Sequence, residues 1–276
     1  MKLSFAKMHG LGNDFMVLDA LKTSVTLDEA RVRSLADRRT GIGFDQLLLL
    51  EAPRDKKFHA NYRIFNADGG EVEQCGNGVR CVARYLANHG VVKSGEVRLG
   101  TLAGPVQAEL DGGELVRANM GVPRLDPKDI PFTAGARAME YELDVDGRTV
   151  EIGAVSMGNP HAILDVPDVE QAPVAELGPR IEHHPRFPKR ANVGFVQLLD
   201  RNGIRLRVWE RGTGETLACG TGACAAVVWG RLLGWLDEKV TVELRGGRLV
   251  VSWRGEGEPV WMTGPAVTVY EGQVEL

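Results

Sequence analysis

Short apolar runs, each ended by glycine, asparagine or a charge, dominate the chain. QLLLLEA, YRIFNA, LVRANMG, RLRVWER and VTVELRG are β-branched, alternating or fully apolar over a few residues and predict strands. Two segments break this rhythm. NGVRCVARYLANHG predicts a helix from Gly78 to His89 with Gly90 placed to end it. TGACAAVVWGRLLG is its twin, with Gly234 in the same role; it is apolar around most of its circumference from Ala223 to Trp229, which predicts burial. A surface helix is expected from Thr26, where Glu29 completes a capping box before ARVRSLADRR.

The chain also repeats itself. Gly70–Ala83 (GEVEQCGNGVRCVA) and Gly214–Val228 (GETLACGTGACAAVV) share the form G-E-x-x-x-C-G-x-G, 144 positions apart in 276 residues. Gly12-Asn13 has a counterpart in Gly158-Asn159, 146 positions later, and GFDQLL at Gly43 is echoed by GFVQLL at Gly194, offset by 151. Three matches in one order point to an internal duplication. The fold class expected is α+β: two pseudo-symmetric lobes, each a mixed barrel-like β-sheet around a central helix, with the active site in the cleft between them. The boundary is placed in NMGVPRLDPKDIP, giving lobes of residues 1–122 and 123–263.

Composition narrows the function. Hydrophobic residues are 43% and charged residues 25%, the balance of a globular protein. A net charge of -4 leaves no basic excess to neutralise phosphates, so nucleic acid is not an expected partner. The opening MKLSFAKMHGLGNDF lacks the apolar core of a signal peptide, and no run has the length of a membrane span; a cytoplasmic location is expected. The four cysteines, Cys75, Cys81, Cys219 and Cys224, are six and five apart in pairs, not the spacing of paired zinc ligands, and no HExxH occurs, so no metal is expected. His183-His184 in EHHPRFP reads as an exposed loop. GTGACA at Gly220 matches a loose dinucleotide pattern, but GTGETLAC before it does not read as the strand that such a site needs.

Cys75 and Cys219 fall at the start of the two helices, followed by glycines. A helix N-terminus carries unpaired amides and the positive end of the dipole, which favours a thiolate and can also hold a carboxylate. Cys81 and Cys224 read as small buried hydrophobes. Two thiols brought to opposite sides of one carbon would remove a proton from one face and return one to the other, the chemistry of a racemase or epimerase. Asn13, Asn66, Asn77, Asn159 and Asn192 lie beside small residues or strand ends, where each fits a turn as well as a ligand contact. Glu210-Arg211 follows RLRVW at the position that Asn66 holds in the first repeat, and reads either as a surface pair or as a clamp on an ammonium and a carboxylate. A proline-type racemase, a non-enzymatic amino-acid-binding protein and a thiol–disulfide oxidoreductase remain alternatives, the last disfavoured because C-x-x-C is absent.

KMHGLGNDF, GIGFDQ, YRIFNADGGEVEQCGNGVRC, VSMGNPH and VWERGTGETLACGTGACA, in this order, together with MTGPA at Met262, resemble diaminopimelate epimerase over essentially the whole chain. The resemblance implies a cofactor-independent (PLP-free) epimerase interconverting LL- and meso-diaminopimelate, in lysine and peptidoglycan-precursor biosynthesis. Cys75 and Cys219 would exchange proton donor and acceptor roles. Asn13, Gln46, Asn66, Asn159, Asn192, Glu210 and Arg211 match substrate-contacting positions. Gly76-Asn77 and Gly220-Thr221 match the segments holding the α-carboxylate, and His161 and Glu210 match positions that tune the thiol pKa values. It further implies a homodimer, and a last strand, residues 264–276, that returns to the first lobe.

Overall fold

The computed structural model describes residues 2–72 and 76–275. They divide into two compact units, one of Met1–Asn119 with Thr263–Leu276 and one of Met120–Met262.

The first unit carries β1 (Lys2–Gly10), β2 (Asn13–Ala20), β3 (Gln46–Glu51), β4 (Ala60–Asn66), β5 (Glu71–Val72), β6 (Gly95–Thr101), β7 (Gly104–Leu110) and β8 (Leu115–Asn119), with helices α1 (Glu29–Ala36) and α2 (Gly76–Asn88). The C-terminal strand Val267–Glu275 pairs antiparallel with β1. Pairing is antiparallel for β1/β2, parallel for β2/β3, antiparallel for β3/β4, parallel for β4/β6 and antiparallel for β6/β7. The parallel steps need crossovers, and α1 and α2 supply them. Helix α2 packs on β1, β2, β3, β7 and β8, so the mixed sheet curls around it. The four consecutive leucines of β3 follow from this layering: with a helix over each face, Leu47 to Leu50 are all fully buried.

The second unit repeats the plan with β9 (Tyr141–Val145), β10 (Arg148–Ser156), β11 (Pro160–Asp165), β12 (Asn192–Asp200), β13 (Gly203–Glu210), β14 (Gly214–Thr216), β15 (Lys239–Leu244) and β16 (Gly247–Ser252), and with α3 (Val174–Glu182) and α4 (Gly220–Leu232). From β10 to β16 the order of antiparallel and parallel pairings is the same. Helix α4 packs on β10, β11, β12 and β16, and Ala223 to Trp229 are all buried, as their unbroken apolar pattern requires. Outside this sheet, α3 covers a second core that includes Phe132, Phe187 and Phe195.

Register exposes the duplication residue by residue. Phe65 pairs with Glu71 and Trp209 with Glu215; Ile64 pairs with Val72 and Val208 with Thr216. The cross-strand ion pair Arg63–Glu71 (2.7 Å) has its counterpart in Arg207–Glu215 (2.7 Å). Leu47 pairs with Phe65 and Val193 with Trp209, so Leu47 corresponds to Val193, and Gln46 corresponds to Asn192. The GFDQLL/GFVQLL echo is therefore out of register by five residues and is not a structural repeat. The two runs differ in setting as well: Leu47 and Leu48 are fully buried, whereas Leu198 and Leu199 at the end of β12 are exposed.

Other expectations are corrected. Helix α1 begins at Glu29, and its cap is Asp28, whose carboxylate accepts from Arg31 N at 2.7 Å; Thr26 forms no capping box. Helix α2 starts at Gly76, two residues before the expected Gly78. Gly90 (φ 72°) and Gly234 (φ 75°) take the left-handed conformation just beyond α2 and α4, where a side chain would strain the backbone. A short strand, β14, does lie in GTGETLAC, but it pairs antiparallel with β13, so the loose dinucleotide motif has no βαβ context. His183 caps the end of α3 and is exposed.

Candidate active site

In the second unit the site is built on the start of α4. Cys219 is its N-cap, with extended backbone (φ -118°, ψ 107°), and is 4% exposed. Its Sγ donates to Glu210 Oε2 at 3.2 Å, and Thr221 Oγ1 lies 3.6 Å from the sulfur. Glu210 is the last residue of β13, and its other oxygen accepts from Thr216 Oγ1 at 2.5 Å. The β13/β14 hairpin thus aims a carboxylate at the first turn of the helix. Gly222 completes the pocket: a Cβ there would sit 3.3 Å from the Cys219 sulfur and 3.1 Å from Val208. An alanine there would press on both side chains.

A second chain of contacts reaches the same turn. Asn159 Nδ2 donates to Thr221 Oγ1 at 3.3 Å, and Asn159 Oδ1 lies 3.1 Å from His161 Nε2. His161 is 1% exposed, and burial, with a smaller push from the Arg211 charge, lowers its pKa to about 3. The ring is neutral, and because Asn159 Oδ1 can only accept, Nε2 carries the proton and donates to it. Asn192 Nδ2 donates to Pro160 O at 3.3 Å, and its Oδ1 accepts from Arg211 N at 3.0 Å. Both ends of that amide are occupied by backbone. The Arg211 guanidinium donates to Lys189 O at 2.9 Å.

A helix N-terminus favours a thiolate, yet the Cys219 thiol is pushed well above its usual pKa. Burial is the larger cause and the Glu210 carboxylate the next; the hydrogen bonds from Thr221 and the Gly222 N–H pull the other way and do not offset them. Cys219 is a protonated thiol with an acceptor beside it. The expectation of an easily ionised sulfur is corrected accordingly.

In the first unit, Glu73, Gln74 and the candidate Cys75 lie outside the described residues. The surrounding residues repeat the pattern of the second unit. Asn77 in the first turn of α2 donates to Asn13 Oδ1 at 3.2 Å, the counterpart of the Asn159–Thr221 contact with the donor reversed. Asn13 Nδ2 donates to Asp45 Oδ2 at 3.1 Å, and Gln46 Nε2 donates to Asn66 Oδ1 at 2.9 Å. Behind Asn13 and Gln46 stands a charge cluster. Asp14 is held by Lys7 (2.5 Å) and Arg38 (2.8 Å), and Arg38 also reaches Asp45 (2.7 Å). Burial alone would raise Asp14, but the hydrogen bonds from Arg38 and Lys7 hold its carboxyl far below the usual range. Gly76 opens the helix beside Asn77 as Gly220 opens α4 beside Thr221.

Sequence reasoning missed Thr216, Asp45 and Arg80. Arg80 is fully buried in α2 and donates to Asn77 Oδ1 at 2.9 Å and to Pro265 O at 3.4 Å. A Cβ on Gly10 would come within 3.0 Å of its Nη2. A charge inside an otherwise apolar helical stripe was the available signal. Among the described residues no group of three His, Cys, Asp or Glu side chains converges to hold a metal ion.

Comparison with known proteins identifies the family. The family model described as "Diaminopimelate epimerase" matches residues 5–125 and 153–269, one stretch in each half. Curated diaminopimelate epimerases from Pseudomonas fluorescens and Nitrosomonas europaea are each 56% identical over 276 residues, covering all of both chains. Among solved structures, a hydroxyproline epimerase from Agrobacterium vitis, with bound trans-4-hydroxy-L-proline, has a TM-score of 0.70 at 18% identity, covering 100% of this chain and 93% of that one. A Bacillus anthracis phenazine biosynthesis protein of the PhzF family scores 0.68 at 18% identity, with both chains fully covered. These structures share the two-lobed fold. Matched along both halves by the family model and along its full length by close relatives, the chain belongs to the diaminopimelate epimerase family.

Proposed function

We propose that this protein is an isomerase that interconverts LL- and meso-2,6-diaminopimelate without PLP or another cofactor, using Cys75 and Cys219 as paired acid and base. The observation that carries the chemistry is the Cys219 thiol donating to Glu210 at 3.2 Å at the start of α4. In one direction the Cys75 thiolate removes the α-proton: the C–H bond breaks, an S–H bond forms, and the electron pair passes to the α-carbon and its carboxylate. The Cys219 thiol then delivers its proton to the opposite face. Burial suits Cys219 to this role, because it keeps the proton on sulfur until a carbanion appears. In the reverse direction Cys219 is the base, and Glu210 is the group beside it that can take its proton. The pair titrates as one coupled system.

The α-proton beside a carboxylate is a weak acid, so charge developing on that carboxylate needs stabilising. The first-turn amides of α2 and α4, at Gly76-Asn77 and Gly220-Thr221, are suited to this, since helix N-termini present N–H groups without intrahelical partners. Asn13, Gln46, Asn66, Asn159, Asn192, Glu210 and Arg211 belong to the same proposal as substrate contacts, and His161 and Glu210 as groups that tune the thiols. We further place the protein in the cytoplasm as a homodimer acting in lysine and peptidoglycan-precursor biosynthesis, as the family resemblance implies. No described helix is long and apolar enough to cross a membrane.

Proton NMR of the reduced protein in deuterium oxide tests the substrate. Deuterium at the α-carbon of LL-diaminopimelate, with the meso isomer accumulating, is expected. Exchange with L-proline or hydroxyproline, and none with diaminopimelate, would move the protein to the racemases whose fold it shares.

A further inference from the structure

Glu182, the last residue of α3, is 3% exposed and has no place in the chemistry described so far. Its two oxygens are used separately. Oε2 accepts from Trp209 Nε1 at 2.8 Å and Oε1 accepts from the Gly212 backbone N–H at 2.9 Å. Trp209 and Gly212 bracket Glu210 and Arg211 in the chain. One turn earlier on the same face of α3, Gly178 lets the indole lie against the helix: a Cβ there would be 2.6 Å from Trp209 Cγ. Arg190 Nη1 lies 3.7 Å and His183 Nε2 3.8 Å from Oε1. The Glu182 carbonyl also accepts from Ala191 N at 3.3 Å, tying α3 to the residue before Asn192.

Burying a carboxylate is costly unless its oxygens are satisfied, and an apolar side chain would cover Trp209 at lower cost. What an apolar side chain lacks is the ability to hold two N–H groups on either side of one dipeptide. We propose that Glu182 is a positioning residue that fixes the Glu210–Arg211 pair and so holds the Glu210 carboxylate against the Cys219 sulfur. The first unit does the corresponding task differently. Phe65, at the place of Trp209, has no N–H, and the turn after Asn66 is held by Arg33 of α1, which donates to Asp68 O at 2.9 Å. In both units the crossover helix grips the turn next to the site.

The inference rests on reading Cys219 and Glu210 as acid/base partners, and its test does not need the substrate. Alkylation of Cys219 by iodoacetamide, followed by peptide mass spectrometry from about pH 7 to about pH 11, reports the thiol's ionisation directly. In Glu182→Gln one of the two N–H donors faces an amide N–H₂ and the grip fails. With Glu210 loosened, the alkylation midpoint is expected to move to lower pH by about half a unit or more. kcat/KM for diaminopimelate should fall about tenfold or more in protein that remains folded. Trp209→Phe, which restores the first unit's residue type, should shift the midpoint the same way by less, and it decides the matter should Glu182→Gln not fold. An unmoved midpoint in the folded variants, whatever their melting temperature, would reduce Glu182 to a structural role and overturn the proposal. Absence of diaminopimelate turnover by the unaltered protein would instead remove the functional reading and leave the midpoint comparison standing.

Discussion

At the scale of single residues, the second unit shows how one thiol is kept protonated yet connected. Cys219 has a carboxylate at 3.2 Å and a glycine, Gly222, at which a side chain would press on the sulfur from 3.3 Å. Gly222→Ala is therefore expected to displace the sulfur and lower kcat/KM by about tenfold or more, with a modest loss of stability, because helix propensity favours the alanine. Steady-state kinetics beside thermal melts will separate the two effects. His161 makes a prediction about pH. Its folded pKa of about 3 lies below the ordinary histidine value of 6.5, so the unfolded chain binds more protons between those values. Its contribution to stability is complete above about pH 6.5 and is lost as pH falls toward 3, by on the order of 5 kcal/mol at most. Urea melts of His161→Gln against the unaltered protein should show a shallower acid slope in the variant; equal slopes would remove His161 as the cause.

Elements differ in how openly the chain announces them. Helices α2 and α4 are evident from apolar periodicity and terminal glycines because their packing demands both. Helix α3 is not, because VAELGPRIE carries a glycine and a proline in its middle, each a breaker by local rule. Gly178 is there to admit the Trp209 indole, a tertiary reason that no local pattern reveals. At α1 the cap is Asp28 and not the expected Thr26, so Asp28→Ala should cost about 1 kcal/mol in a chemical denaturation experiment while Thr26→Ala costs almost nothing. Packing of α4 on β10 is tighter still. A Cβ on Gly153 would lie 2.3 Å from the Trp229 indole, whose N–H donates to Met139 O at 3.1 Å. Gly153→Ala is expected to destabilise the protein by roughly 1–3 kcal/mol, read as a lower denaturation midpoint at unchanged slope.

For the whole molecule, duplication is the organising fact, and it was legible where function or helix geometry constrains the chain. The Asn13/Asn159 pair and the helix starts at Gly76 and Gly220 correspond in the two units, whereas the GFxQLL echo did not survive comparison of the strand ladders. Strands accept many apolar runs, so a six-residue match there carries little positional information. The charges behind the site were legible only in part: Arg80 and Asp45 are ordinary letters in the chain until the fold brings them to Asn77 and Asn13. The central claim is the proposed two-base mechanism, a proton removed by one cysteine and returned by the other. The measurement that tests it most directly is proton NMR in deuterium oxide of LL-diaminopimelate with the unaltered protein, Cys75→Ala and Cys219→Ala. The two-base account predicts α-deuteration with inversion for the unaltered protein and no meso isomer with either variant. Continued epimerisation by either single-cysteine variant would contradict it.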